Sequence, residues 1–189
     1  TVHITAPGYV QYNNSITVPS GTLVNWEVSC AGMESKTGKR IVTETDTLPV
    51  VLDRIVTLTV YPNPDTATVE LKANGYTQVG NTISVAAGTR VHWKVYKSGY
   101  LPKSDYITVN DNTPLTVPLT AAATLTIVPY PSDAIVTITA EGYGQYGNKI
   151  TVPLNTRVYW SVVKTGYVGQ YDYEDMTADE TKDITLTPL

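Results

Sequence analysis

Three stretches decide the fold: Val24-Asn25-Trp26-Glu27-Val28, Val91-His92-Trp93-Lys94-Val95 and Val158-Tyr159-Trp160-Ser161-Val162. In each, Val, Trp and Val take alternate positions, with Asn, His or Tyr and then Glu, Lys or Ser between them. Successive side chains of a β-strand point to opposite faces, so a period of two makes each stretch a strand with one buried face. The Trp residues lie 67 positions apart, and other landmarks keep the same step. Gly8-Tyr9 recurs as Gly75-Tyr76 and Gly142-Tyr143; Gly32 recurs as Gly99 and Gly166; Leu52, Leu119 and Leu186 close each copy. No insertion disturbs the spacing, so strand and loop lengths are expected to match in all three copies.

Working outward in the second copy, strands are expected near 57–61, 66–73, 76–79, 82–86, 89–97, 104–109 and 115–119. Turn signals separate them: Pro62-Asn63-Pro64-Asp65, Asn74-Gly75, Gly80-Asn81, Ala87-Gly88, Ser98-Gly99 and the run from Asn110 to Pro114. Short strands with turns every 8–12 residues indicate a sandwich or barrel. Val69, Leu71, Ile83, Val85, Leu115, Val117 and Leu119 are expected to point inward, with Trp26, Trp93 and Trp160 as core landmarks. The modules are expected at 1–56, 57–123 and 124–189. A 67-residue unit lies near the lower size limit for independent folding.

Composition agrees. Thr is the commonest residue, Val follows, and 14 Tyr accompany no Phe, a β-branched and aromatic bias that suits pleated surfaces. With 13 Gly and 12 Pro there is no uninterrupted helical window, and no apolar run is long enough to span a bilayer. A net charge of −4 with pI near 5.1 excludes a strongly basic nucleic-acid binder. One Cys and two His exclude an internal disulfide framework and a CxxC metal site.

Three full copies would need 201 residues, twelve more than the 189 present. Copies two and three open with Thr57-Leu58-Thr59-Val60 and Thr124-Leu125-Thr126-Ile127, whereas Thr1-Val2 aligns with Thr68-Val69. Copy one is therefore expected to show an open sheet edge or groove. Two explanations stand side by side: the chain is a piece of a longer repeat protein, or a partner's strand completes the first module.

Pro62-Asn63-Pro64-Asp65-Thr66-Ala67-Thr68-Val69 and Pro129-Tyr130-Pro131-Ser132-Asp133-Ala134-Ile135-Val136 resemble the opening of PEGA-type surface modules. Lys97-Ser98-Gly99-Tyr100 and Lys164-Thr165-Gly166-Tyr167 match the Lys-x-Gly-Tyr of those modules. Copy one matches mainly at the Gly-Tyr turn and the Trp strand. The Gly-Tyr-x-Gln-x-Gly-Asn segments at 75–81 and 142–148, each followed by a Val-rich strand, also resemble immunoglobulin-like repeats of tailed-phage fibre and decoration proteins. The Trp-centred strand, and the lack of a Thr-Pro after the Gly turn, depart from the PEGA pattern. The resemblance implies an all-β chain of three tandem small Ig-like (PEGA-like) β-sandwich modules; its motifs are structural, so fold transfers better than function.

No Ser/His/Asp order, phosphate loop or HExxH motif is present, and no enzyme, cofactor or metal is expected. His3 and His92 vary between copies and read as surface residues. The acidic run Asp172-Tyr173-Glu174-Asp175, with Asp179 and Glu180, reads as solvated loop rather than a calcium site. Cys30 aligns with Lys97 and Lys164 and should be accessible. Asn13-Asn14-Ser15 is a glycosylation sequon found in one copy. Two readings compete for Tyr9, Gln11, Tyr76, Gln78, Tyr143 and Gln145. One is a turn packed on its own module with the Tyr hydroxyl tied to backbone; the other is a glycan contact in which amides flank aromatic rings.

The expected function is a non-enzymatic stalk, fibre or decoration segment on a phage virion, serving display or host-surface attachment. Its partners would be other virion or surface-protein subunits and a host-surface glycan, with no nucleic acid and no membrane span. The alternatives are a bacterial adhesin of PEGA-like modules and a carbohydrate-binding accessory region of a larger enzyme.

Overall fold

The computed structural model describes every residue from Thr1 to Leu189, in strands, turns and bends with no helix. The Trp strands are Thr22–Val28, Thr89–Tyr96 and Thr156–Val163. Their alternation is that of half-buried strands: Val158, Trp160 and Val162 are buried, while Arg157 before them and Tyr159 between them are exposed. The strands expected at 82–86, 89–97 and 104–109 are present as Thr82–Ala86, Thr89–Tyr96 and Lys103–Val109. The expected 76–79 strand shrinks to Gln78–Val79, and a short strand at Tyr100–Leu101 has no counterpart in the sequence reading.

The backbone repeats as the sequence does. The Tyr9, Tyr76 and Tyr143 amides each donate to the carbonyl three residues back, at 3.2 Å. The residue before each Tyr is Gly8, Gly75 or Gly142, with φ between 78° and 82°. Any side chain is strained there, which is why Gly recurs. Gly80 and Gly147 also have positive φ, and their first-copy counterpart is Asn13 at φ 53°. Asn is among the few residues that tolerate this region, so one backbone geometry persists through a residue change.

The chain divides into two compact units: Thr1–Val60 with Leu71–Trp93 and Tyr106–Leu115, and Tyr61–Glu70 with Lys94–Asp105 and Thr116–Leu189. The boundaries fall inside strands of the second copy. In the first unit, Thr22–Val28 is flanked antiparallel by Val2–Thr5 and Lys36–Val42. Gln11–Tyr12 and Ser15–Ile16 form a separate two-stranded ribbon, and residues 43–53 contain no strand. In the second unit, Thr156–Val163 is flanked in the same way by Ile135–Thr139 and Gln170–Met176. A further sheet is built on Thr120–Tyr130, antiparallel to Lys149–Pro153 and parallel to Glu180–Thr185. The second copy has a sheet in the order Lys103–Val109, Thr89–Tyr96, Thr68–Lys72. Its other sheet runs Thr113–Pro118, Ile55–Asn63, Thr82–Ala86, Gln78–Val79.

The third copy has a filled apolar core. Leu125, Ile127, Ile138, Ile150, Val152 and Trp160 pack there with Met176 and Leu186. Burial of a branched aliphatic or Met side chain contributes about 1.5–3 kcal/mol, so this cluster dominates the stability of the second unit. The core expectation for Trp holds unevenly. Trp160 is 7% exposed, but Trp26 and Trp93 are only half-buried. Trp93 lies between the fully buried Val91 and Val95, and the larger indole extends past them, as Trp commonly does. Trp26 is uncovered for a different reason, described below.

Candidate functional site

The Gln residues of the Gly-Tyr segments are committed to backbone. Gln11 Oε1 accepts the Ile4 amide at 2.5 Å, and Gln11 Nε2 donates to the Val2 carbonyl at 2.9 Å. Gln145 does the same with the Ile138 amide at 2.7 Å and the Val136 carbonyl at 3.0 Å. Gln78 accepts the Leu71 amide at 2.6 Å. A neighbouring strand would offer this same acceptor-and-donor pattern. The side-chain amide therefore substitutes for a strand along the edge of Val2–Thr5, Thr68–Lys72 and Ile135–Thr139, where unpaired backbone would invite aggregation. The second Nε2 hydrogen reaches forward to Gly80 and Gly147 at 2.6 Å, and to Asn13 in the first copy, pinning the next turn.

The Tyr rings of these turns stay partly open, Tyr9 at 41% and Tyr143 at 36% exposure. The Tyr76 hydroxyl donates to Glu34 Oε1 at 2.7 Å, a carboxylate rather than the backbone partner expected. Of the six residues read as glycan contacts, then, Tyr9 and Tyr143 have exposed rings, Tyr76 is half-buried, and the three Gln have their amides occupied.

A second aromatic surface escaped the sequence reading. On the outward side of the third copy's Trp strand, Tyr159 and Tyr173 lie 6.2 Å apart, and the Arg157 guanidinium sits 4.1 Å over the Tyr173 ring. Arg157 Nε and Nη2 also bind both Asp175 carboxylate oxygens, at 2.8 and 2.7 Å. That pairing holds the Asp175 carboxyl below its ordinary pKa and the guanidinium above its own. The second copy repeats the stack, with Arg90 at 4.1 Å over Tyr106 and His92 4.9 Å from the same ring. Its signal in the sequence is the Arg-x-x-Trp spacing of copies two and three with Tyr at 106 and 173, absent from copy one, where Leu23 and Lys39 stand instead.

The acidic run is strand, not loop: Asp172, Tyr173, Glu174 and Asp175 belong to Gln170–Met176. Its carboxylates are dispersed onto cations, Asp175 onto Arg157 and Glu174 onto Lys182. Asp179 accepts the Thr124 amide at 2.8 Å, as Asn112 accepts the Thr57 amide at 2.9 Å. His3 and Cys30 are exposed.

The first copy carries a groove of about 750 Å³. Its floor holds the inward residues of the Trp sheet, including Ile4, Val24, Trp26 and Val28. One side is Ser15 to Val18 and the other runs from Thr43 to Val50. Trp26 leans onto Gly38, where an added Cβ would lie 2.4 Å from the ring, so Gly38 makes room for the indole. The other copies carry Asp105 and Asp172 at that position.

Over 68 residues the chain is 40% identical to the head fiber dimeric protein of Bacteroides phage crAss001. The matched stretch is 36% of this chain and 52% of that protein, and its length is close to one repeat. The chain thus spans about half the length of this relative. No family model matches. Among solved structures, the Bacillus anthracis TIE protein aligns with the whole chain and 49% of its own length, at 10% identity and a TM-score of 0.26, too low to assign a fold.

Proposed function

We propose that the chain is a non-enzymatic structural segment of a phage virion, a fibre, stalk or decoration element built from three tandem Ig-like, PEGA-like modules at 1–56, 57–123 and 124–189. The observation that carries this is the 40% identity with a phage head fiber protein over about one repeat length. The architecture supports it. Turn geometry, Gln edge clamps and Trp strands persist from copy to copy, while outward positions such as Asn25, His92 and Tyr159 change, as in a spacer.

On this reading the partners are other virion subunits, and the site is the particle surface. Contact with a host glycan falls to the open rings, Tyr9 and Tyr143 at the turns. Antibodies against residues 1–189 should decorate intact, gradient-purified virions in immunogold electron microscopy. Label confined to the envelope or medium of uninfected cells would move the modules to the bacterial-surface reading.

A further inference from the structure

The outward face of the Trp sheet sets the same two places side by side in each copy: 23 with 41, 90 with 108, and 157 with 175. In the first copy these are Leu23 and Ile41, directly paired and both exposed. In the third they are Arg157 and Asp175, directly paired and joined through both carboxylate oxygens at 2.8 and 2.7 Å. In the second they are Arg90 and Thr108. The register is the same there, since the Gly88 amide donates to the Val109 carbonyl at 2.8 Å as the Asn155 amide does to Met176 at 2.7 Å. The second copy thus keeps the arginine and puts a neutral hydroxyl where the third copy has a carboxylate.

The arginine is held in the same way in both copies. Each guanidinium lies 4.1 Å from the centre of a Tyr ring, Arg90 over Tyr106 and Arg157 over Tyr173. Stacking on an aromatic face fixes the plane of the guanidinium, and its fork of N–H donors matches a carboxylate at two points. The third copy shows that match made, by Nε and Nη2 on Asp175. Arg90 and Thr108 are both exposed, so a carboxylate from solution can reach the second copy's fork. His92 stands where the third copy has Tyr159, its ring 4.9 Å from that of Tyr106, which is itself 55% exposed.

We propose that Arg90, with Tyr106, His92 and Thr108 around it, is a binding site for the carboxylate of an acidic sugar of the uronate class. The sugar carboxylate takes the two-point hydrogen bond that Asp175 makes to Arg157. The rest of the sugar uses what else this face offers: ring C–H groups lie on the open part of Tyr106, and hydroxyls reach the His92 nitrogens and Thr108 Oγ1. A carboxylate carried on a peptide side chain satisfies the guanidinium alone. The chain's net charge of −4 gives anions no general attraction, so retention depends on the fork. The site is distinct from the Tyr9 and Tyr143 turns, and it rests on this geometry rather than on the virion assignment.

The test is an NMR titration of residues 1–189 with trigalacturonate at fixed ionic strength, following the Arg90 Nε–H and the ring signals of His92 and Tyr106. All three should shift saturably. The trimethyl ester of the same sugar should bind about tenfold or more weakly, because a charge-assisted pair becomes a neutral one. Thr108→Asp supplies the third copy's carboxylate within the chain and should abolish the response at Arg90. Arg90→Lys keeps the charge, loses the two-point geometry and should weaken binding. Equal binding of acid and ester would overturn the proposal, as would an undiminished response in either variant or shifts confined to other residues. Triglutamate binding as tightly as trigalacturonate would show carboxylate recognition without the sugar and also overturn it. Immunogold results bear on none of these outcomes.

Discussion

At the scale of single residues, the Gln clamp decides how an exposed edge is closed. Gln145→Ala removes an acceptor and a donor together, leaving the part-buried Ile138 amide and the Val136 carbonyl to water or to nothing. A loss of about 1–3 kcal/mol in urea unfolding is expected, and glycan binding, where measured, should change less than with Tyr143→Ala. The Trp residues should separate by burial. Trp160→Ala should cost about 3–5 kcal/mol, and Trp26→Ala clearly less, because the groove already exposes part of its ring. Equal losses in the same urea series would show that the groove is closed in solution. Cys30 is exposed and should react with a thiol reagent in the native protein at the rate of a free thiol.

At the scale of elements, the Arg157–Asp175 pair ties Thr156–Val163 to Gln170–Met176 across the outer face. Asp175 has a lowered pKa in the folded chain, from the Arg157 hydrogen bonds first and its charge next, partly offset by desolvation. The contribution is therefore fully present above the ordinary carboxylate range and is lost as pH falls through the folded-state value. Asp133, lowered by its hydrogen bond from Lys164, behaves in the same sense. Both pairs are solvent-exposed and screened, so the effect is small. Thermal melts taken downward from pH 5 should show a shallower loss for Asp175→Asn than for the parent chain. Parallel curves would mean that the pair adds nothing. The same pair explains why an acidic stretch reads wrongly in isolation. Asp172 to Asp175 looks like a solvated loop until a facing strand supplies Arg157 and Lys182 supplies a second cation.

At the scale of the whole molecule, the copies are alike in backbone and unequal in closure. The first has one three-stranded sheet over a groove; the third has a filled core between Thr120–Tyr130 and its Trp strand. Local opening follows buried apolar contact, so amides of Thr22–Val28 should exchange faster than those of Thr156–Val163. In rising urea, residues 1–54 should lose protection before residues 120–189, read by exchange mass spectrometry. Simultaneous loss would mean that the first copy draws its stability from elsewhere than its own core.

Periodicity alone determined the strand class, the three-fold repetition, the turn positions and the inward residues. Each of these depends on local chemistry: alternation of side chains, the φ freedom of Gly, and spacing that no insertion breaks. What the tertiary structure alone decided concerns partners distant in sequence. The Gln side chains look like ligand contacts beside Tyr until the fold sets them against edge strands whose backbone they pair. The outer stack of Arg157 on Tyr173 forms only when two strands align in one register. Trp26 has the local sequence of a core residue, yet its burial requires a covering strand. Sequence pattern assigns a side chain to a face; only the packed neighbours decide whether that face meets protein or water.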